Sequence, residues 1–241
     1  MATAKDIVVK PITAAAANKV VKAVHYSGTH TQNSQLHFGV FLNEKLEGAM
    51  QFGPPIDRRK VLPLVKDTEW HNMIELNRMA FSDALPRNSE SRAMAIAFRL
   101  IKKHYPNIEW VLSFSDGCQC GDGTIYRASG FVLTGIKKNS TIVRLADGTV
   151  TASHGTSKHD FTGAERLQGF QLRYVYFLNP EAKKRLTVPI LPFSKIDEIG
   201  ARMYKGVSYA RTKQANLSDQ LERGGVTPTC TLQNALIIRE C

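Results

Sequence analysis

The stretch from Met73 to Ser115 constrains the fold more than any other part of this chain. Met73 to Phe81 reads as a largely buried strand, Asn88 to His104 as a helix, and Trp110 to Ser115 as a second buried strand. The helix carries Met94, Ala97, Phe98 and Ile101 on one stripe, with Arg92, Arg99, Lys102 and Lys103 mostly off it. That spacing lays one helical face on a core. Pro106 ends the helix, because a proline ring cannot continue the hydrogen-bond ladder. A strand, a long helix and a strand in this order form a crossover, and crossovers join strands that run parallel in one sheet. The chain is therefore read as α/β, a mixed central sheet flanked by helices.

The flanks fit that class. Ile7-Val8-Val9 predicts a first strand, and Thr13 caps an alanine-rich helix that runs to about His25. Leu36 to Leu42 and Leu46 to Phe52 form a hairpin across the link Asn43-Glu44-Lys45. Gly53-Pro54-Pro55 ends it, and a basic loop, Asp57-Arg58-Arg59-Lys60, follows. After the second buried strand come a Gly-rich turn over 116–123, a short helix around Tyr126 closed by Gly130, and a strand from Phe131 to Thr134. Thr141 to Thr151 predicts a hairpin turning at Asp147-Gly148, and Gln171 to Leu178 another strand. From Asn179 the pattern weakens into a lysine- and arginine-rich tail. We divide the chain into a catalytic domain over 1–180 and a basic extension over 181–241, docked or partly mobile.

Charge narrows the partners. Thirty-two Lys and Arg stand against 21 Asp and Glu among 241 residues, a net charge of +11, which suits a polyanion. A basic but ordinary enzyme fits the same number. No apolar run approaches a bilayer span, and Met1 to Asp6 has no apolar core behind its lysine, which reads against a secretory signal. Four cysteines, Cys118, Cys120, Cys230 and Cys241, are too few and too irregular for a disulfide framework or a structural zinc site. A reducing cytoplasm is the expected compartment.

Five constellations carry chemistry. His25-Tyr26-Ser27-Gly28 sits where a helix turns; its histidine is a general base, a metal ligand or simply a partner for the helix C-terminus. Glu75, Asn77 and Arg78 interrupt an apolar strand, where polar groups are paired or functional; strict alternation puts Glu75, Asn77 and Met79 on one face and Arg78 on the other. Arg87-Asn88-Ser89-Glu90-Ser91-Arg92 opens the long helix, with free backbone donors and two guanidiniums for an anion. Asp116 ends a buried strand, where open α/β sheets place their ligands, and with His25 it offers hard ligands to an iron-type ion. Tyr126, before Gly130-Phe131, reaches the same sheet end, to shuttle a proton or to pack.

Taken together these segments resemble a known family. The Asn77-Arg78 strand, the helix after it, the strand ending at Asp116 and the Tyr126 segment resemble a GNAT-like acyltransferase core. More closely, His25-Tyr26-Ser27-Gly28, Gln35 to Phe41, Glu75 to Phe81, Asn88 to Ala93 and Asp116 to Phe131 look like the phage Mom family. The similarity runs in order from His25 to Leu178. That family modifies adenine in DNA to the N6-carbamoylmethyl form, which protects phage DNA from restriction. The resemblance implies an active centre of His25, Tyr26, Arg78, Ser91, Asp116 and Tyr126, with iron held by His25 and Asp116. From the residues themselves, the start of the long helix is read as a donor site at Arg87, Ser89, Ser91 and Arg92, and Arg58, Arg59, Lys60, Lys102 and Lys103 as contacts to DNA phosphates. Where acetyl-CoA enzymes carry a glycine-bearing pyrophosphate loop, this chain has no glycine in Arg87 to Ser91, so close approach of a pyrophosphate is harder.

The expected function is a bacteriophage DNA-modifying enzyme in the host cytoplasm, acting on double-stranded DNA as a monomer or a homodimer. An activated glycyl group and an acyl-CoA are the candidate donors. Two rivals stand beside it: a conventional N-acyltransferase using acyl-CoA on a small molecule or protein, and a noncatalytic DNA-binding module.

Overall fold

Three residues of parallel pairing decide the layout of the sheet. A computed structural model describes residues 2–25, 27–116, 123–153, 160–204 and 207–208. In chain order the strands are β1 (Val8–Pro11), β2 (Leu36–Leu42), β3 (Lys45–Gly53), β4 (Met73–Phe81), β5 (Trp110–Asp116), β6 (Val132–Asn139), β7 (Ile142–Arg144), β8 (Val150–Ala152), β9 (Glu165–Arg166), β10 (Gly169–Phe177), β11 (Met203–Tyr204) and β12 (Val207–Ser208). The helices are α1 (Ala14–Val24), α2 (Arg58–Val61), α3 (Ser89–His104), α4 (Thr124–Ala128), α5 (Pro180–Lys184) and α6 (Ser194–Glu198). The main sheet has seven strands in the order β1-β2-β3-β4-β5-β10-β6, and a small three-stranded sheet has the order β8-β7-β9. Within the main sheet β4 and β5 are parallel, and every other pairing is antiparallel. This is the mixed, helix-flanked sheet that the GNAT-like resemblance implies.

The two faces of the sheet are covered differently. Met94, Ala97, Phe98 and Ile101 of α3 are buried against Phe38, Met50, Phe52, Val111, Leu172 and Tyr174, the stripe expected from the helical spacing. On the opposite face α1 sets Ala17, Val20 and Val21 on Ala49 and Ala80. Further along that face, Val61, Leu64 and Ala182 close over Trp110, Leu112 and Val175.

Several expectations shift at their edges. The β2–β3 link is a two-residue turn with both Asn43 and Glu44 at positive φ, and Lys45 already belongs to β3. Such turns match the right-handed twist of a hairpin. Part of the basic loop is helical: Asp57 caps α2 by accepting from the Lys60 N–H. Among its described residues the tail contains two helices, the first started by Asn179 with Pro180 behind it, and Ile196 and Ala201 are buried in the α3-side core. Thr141 to Thr151 forms β7 and β8, as expected, and adds the short β9 beside them.

The parallel ladder between β4 and β5 runs from Met73–Trp110 to Glu75–Leu112. Beyond it the Ser113 hydroxyl reaches the Leu76 carbonyl at 3.5 Å. On the other side of β4 the pairing with β3 jumps: Gln51 faces Arg78, and Phe52 faces Leu76. Asn77 is the extra residue of a β-bulge.

Candidate active site

The bulge overturns the strict alternation expected for β4. It puts two consecutive residues on one face, so Arg78 joins Glu75 and Asn77 while Met79 packs into the α3-side core. Cross-strand partners share a face, and Arg78 is opposite Gln51, whose amide donates to Asn18 of α1 at 2.7 Å. The polar group of β4 therefore opens toward the C-terminus of α1, where His25 lies.

Residues 27–35 are stitched onto this group. Arg78 donates from Nε to the Thr29 carbonyl at 3.3 Å and from Nη1 to the Asn77 carbonyl at 2.8 Å. The Ser34 hydroxyl donates to Asn77 Oδ1 at 3.0 Å. The Asn33 amide donates to the Pro54 carbonyl. Gly53 makes this seat feasible: a Cβ there would collide with the Asn33 carbonyl oxygen and come 2.7 Å from Asn77 Oδ1. A histidine at the end of α1 is thereby held against an arginine 53 positions later in the chain.

His25 caps α1, its N–H bonded to the Val21 carbonyl at 2.9 Å. Its Nδ1 accepts the Ser27 N–H at 3.2 Å and lies 2.8 Å from the Ser27 hydroxyl. An acceptor at Nδ1 leaves the proton of the neutral ring on Nε2. Burial, aided by the positive charge of Arg78, lowers its pKa to about 3. At neutral pH His25 is a neutral hydrogen-bond donor rather than a strong base.

Glu75 behaves in the opposite way. Burial raises its pKa to about 7, against the pull of a hydrogen bond with Asn77 and the charge of Arg78. A carboxyl poised at neutrality is suited to taking up and releasing a proton. In the sequence Glu75 is a polar interruption of an apolar strand, with nothing beside it to define a role. The missing signal was the register with β3, which sets which neighbours it has.

Tyr126 reaches the centre from the other face. Its hydroxyl accepts from Ser113 at 3.0 Å and donates to the Phe114 carbonyl at 3.2 Å. The ring stacks on Tyr174, with centroids 4.1 Å apart and 8° between the planes. Burial pushes its pKa up to about 12, the charges of Asp116 and Glu75 acting in the same direction. The phenol stays protonated at any physiological pH. Asp116 ends β5 opposite Gln171, and alternation gives it the same side as Phe114. Electrostatics thus links His25 to Arg78, Arg78 to Glu75, and both Glu75 and Asp116 to Tyr126.

The other residues expected at the site stand as follows. Tyr26 lies outside the described residues, as do all four cysteines. At the start of α3, Ser89 is fully buried with its hydroxyl on the Pro86 carbonyl. Ser91 donates to the Asn88 carbonyl at 3.3 Å within its own helical turn. Arg87 and Arg92 are exposed, and the charge of Arg92 is felt by Asp6. Arg58 stacks over the Trp70 ring at 4.7 Å, Arg59 is exposed, and Lys60 pairs with Asp57 at 2.8 Å. Lys102 and Lys103 are exposed at the far end of α3 from Ser91, a helix roughly 24 Å long.

The donor set fits iron poorly. Among the described residues no three His, Cys, Asp or Glu side chains converge where they could hold a metal ion. His25 Nδ1 is already engaged by Ser27, and a guanidinium stands beside the ring. A cation there would meet charge repulsion and a protonated Nε2.

Comparison with known proteins places the chain. The family model described as the Mom protein family matches residues 6–195. The methylcarbamoylase Mom of Escherichia phage Mu is 36% identical over 199 residues, a match covering 77% of this chain and 81% of that protein. This chain belongs to the Mom protein family. Among solved structures it is similar to an IAA acetyltransferase from Bacillus cereus, with a TM-score of 0.45 and 10% identity over 71% of this chain and 99% of that one. It is also similar to a spermidine/spermine N-acetyltransferase from Vibrio cholerae, with a TM-score of 0.45 and 9% identity over 76% and 99%. Among the described residues no helix is long and apolar enough to cross a membrane.

Proposed function

We propose that this chain is a transferase that converts adenine in double-stranded DNA to its N6-carbamoylmethyl form in the host cytoplasm, and so protects phage DNA from host restriction. Membership of the Mom family and its relative's name as a methylcarbamoylase support the reading, as does the net charge of +11. The observation that carries it is the β4 bulge, which gathers a carboxyl poised near pH 7, a guanidinium and a neutral imidazole on one face, with a protonated phenol within electrostatic reach of that carboxyl.

Each group has a task. The exocyclic amine of adenine is conjugated with the ring and must lose a proton as it attacks. Glu75, ionised in about half the molecules at pH 7, takes that proton. Arg78 and the Nε2–H of His25 face the oxygen that gains negative charge. Tyr126 stays protonated and serves as donor. Arg87 and Arg92 meet the phosphate of an activated donor or an acyl-CoA. Arg58, Arg59, Lys60, Lys102 and Lys103 hold DNA phosphates. The target base leaves the stack to reach the site, at a cost of about a few kcal/mol.

With an activated glycyl donor the product forms without oxidation or reduction. Acylation of N6 releases the activating group and gives a glycyl amide. The glycyl amine then attacks ring carbon 6, forming a carbon–nitrogen bond in a five-membered ring. Cleavage of the original bond from carbon 6 to the amide nitrogen leaves the ring bonded to NH–CH2–CO–NH2. Glycine labelled with heavy nitrogen then leaves its label on the nitrogen attached to the ring, and an unlabelled product excludes this route.

The function is tested by mass spectrometry of nucleosides from cells expressing the chain, comparing wild type with Asp116→Ala and Glu75→Gln. We expect an altered adenosine in wild type and a loss of about 100-fold or more in either variant. An unaltered nucleoside pool in wild type overturns the assignment.

A further inference from the structure

Among the described residues Ile56 stands out from every other apolar side chain on the surface. It is 95% exposed, whereas the other exposed large hydrophobic residues among those described lie between 37% and 56%. Single exposed apolar residues are ordinary; the mounting of this one is not. It follows Pro54 and Pro55, whose rings fix the backbone. Pro55 is buried, and the Pro54 carbonyl is held by the Asn33 amide. Directly behind Ile56 come three cations, Arg58, Arg59 and Lys60, against one carboxylate, Asp57, which is turned back onto Lys60. Arg58 is braced on Trp70.

The position matters as much as the mounting. Gly53, three residues before Ile56, pairs with Glu75 in the sheet. Three residues span at most roughly 10 Å, so the exposed side chain projects from the rim of the candidate active site. Proteins that unstack DNA insert apolar wedges such as isoleucine between base steps, flanked by cations that grip the phosphates.

We propose that Ile56 is the wedge that enters duplex DNA and fills the place of the extruded adenine, with Arg58, Arg59 and Lys60 gripping the flanking phosphates. This rests on the DNA-modifying reading above. The stiff proline stalk means that little conformational freedom is lost on insertion. The buried end of the stalk shares its seat with residues 27–35, so the wedge is anchored to the segment that follows His25.

The experiment uses the full chain, without donor, and duplexes carrying 2-aminopurine in place of the target adenine. Wild type is expected to raise the fluorescence as the base unstacks. Ile56→Ala is expected to cut that rise by about 5-fold or more and to weaken binding to the matched duplex by about 10-fold, a loss within reach of one buried apolar side chain. On a duplex with an abasic site opposite the target, already open, it should bind within about 2-fold of wild type. Ile56→Leu should retain the rise, and Val8→Ala, on the far edge of the sheet, serves as control. Arg59→Ala should weaken all substrates alike and lower the salt slope by about one. Equal behaviour of Ile56→Ala and wild type on both duplexes overturns the wedge, as does a wild type that binds duplex without unstacking the base. The two readings separate cleanly. If wild type unstacks the base and Ile56→Ala does not, yet cells expressing wild type contain no altered adenosine, the wedge stands and the proposed chemistry falls.

Discussion

Replacing Glu75 with glutamine should make this protein more stable and less active, and the gain in stability should depend on pH. The folded state raises the Glu75 pKa from 4.5 to about 7, so the folded chain binds a proton more tightly than the unfolded one. A group of this sign contributes stability below pH 4.5 and loses it as pH rises through about 7. At 1.36 kcal/mol per pK unit the full cost of holding the charged carboxylate is about 3 kcal/mol. Most of it develops between pH 5 and pH 8, about 2.5 kcal/mol over that interval. Glutamine retains the shape and carries no charge, so the advantage of Glu75→Gln over wild type should grow by about that amount between the two pH values. For a chain of this size the advantage in melting temperature should widen by about 5–10 °C. His25, with its pKa lowered to about 3, withdraws stability as pH falls below 6.5; both proteins share that contribution, and it cancels in the difference. Thermal melts of the two proteins at pH 5 and pH 8 measure the effect. A difference in melting temperature that stays constant with pH would refute the assignment of a buried, poised carboxyl, whatever the variant does to activity.

Three other substitutions probe the same construction. Gly53→Ala should cost about 1–3 kcal/mol, because the added methyl meets the Asn33 carbonyl and Asn77 Oδ1; faster proteolysis within residues 27–35 would show that the His25 segment has lost its seat. Tyr126→Phe removes the bond to the Phe114 carbonyl and the acceptor for Ser113, with an expected stability loss of about 1 kcal/mol and a fall in the yield of modified nucleoside of about 100-fold; a yield within threefold of wild type would remove the phenol from the reaction. Glu109→Ala breaks the two-pronged bond with Arg185, both contacts at 2.7 Å. It should lower the melting temperature through a loss of about 2 kcal/mol without changing the product formed in cells at reduced temperature.

Much of the scaffold was legible because its signals are local. The α3 stripe, the crossover from β4 to β5 and the hairpin from β2 to β3 follow from spacing and turn residues that a reader sees within about 15 positions. The helices in the basic loop and the tail also left local marks, Asp57 ahead of Lys60 and Asn179 ahead of Pro180, and those marks were outweighed by the surrounding charge. The site was legible only in part. His25, Arg78, Asp116 and Tyr126 stand at element ends or inside apolar runs, where a polar residue draws notice. The facing of Arg78 was not legible, because a bulge is a property of two strands and neither sequence carries it alone. The condition of His25 was hidden as well: its tautomer is set by Ser27 and its charge by burial and by a guanidinium far along the chain.

Asn77 is the supernumerary residue of β4, and the bulge that takes it up keeps Arg78 on the face of Glu75. Deleting it would let the strand lie flush against its neighbour with Arg78 still opposite Gln51 on the face of Glu75, and would remove the carboxamide that accepts the Ser34 hydroxyl. One codon therefore adds a mooring point for residues 27–35 without turning over any other residue of the strand, a short evolutionary step by which a plain strand gains a tethered loop.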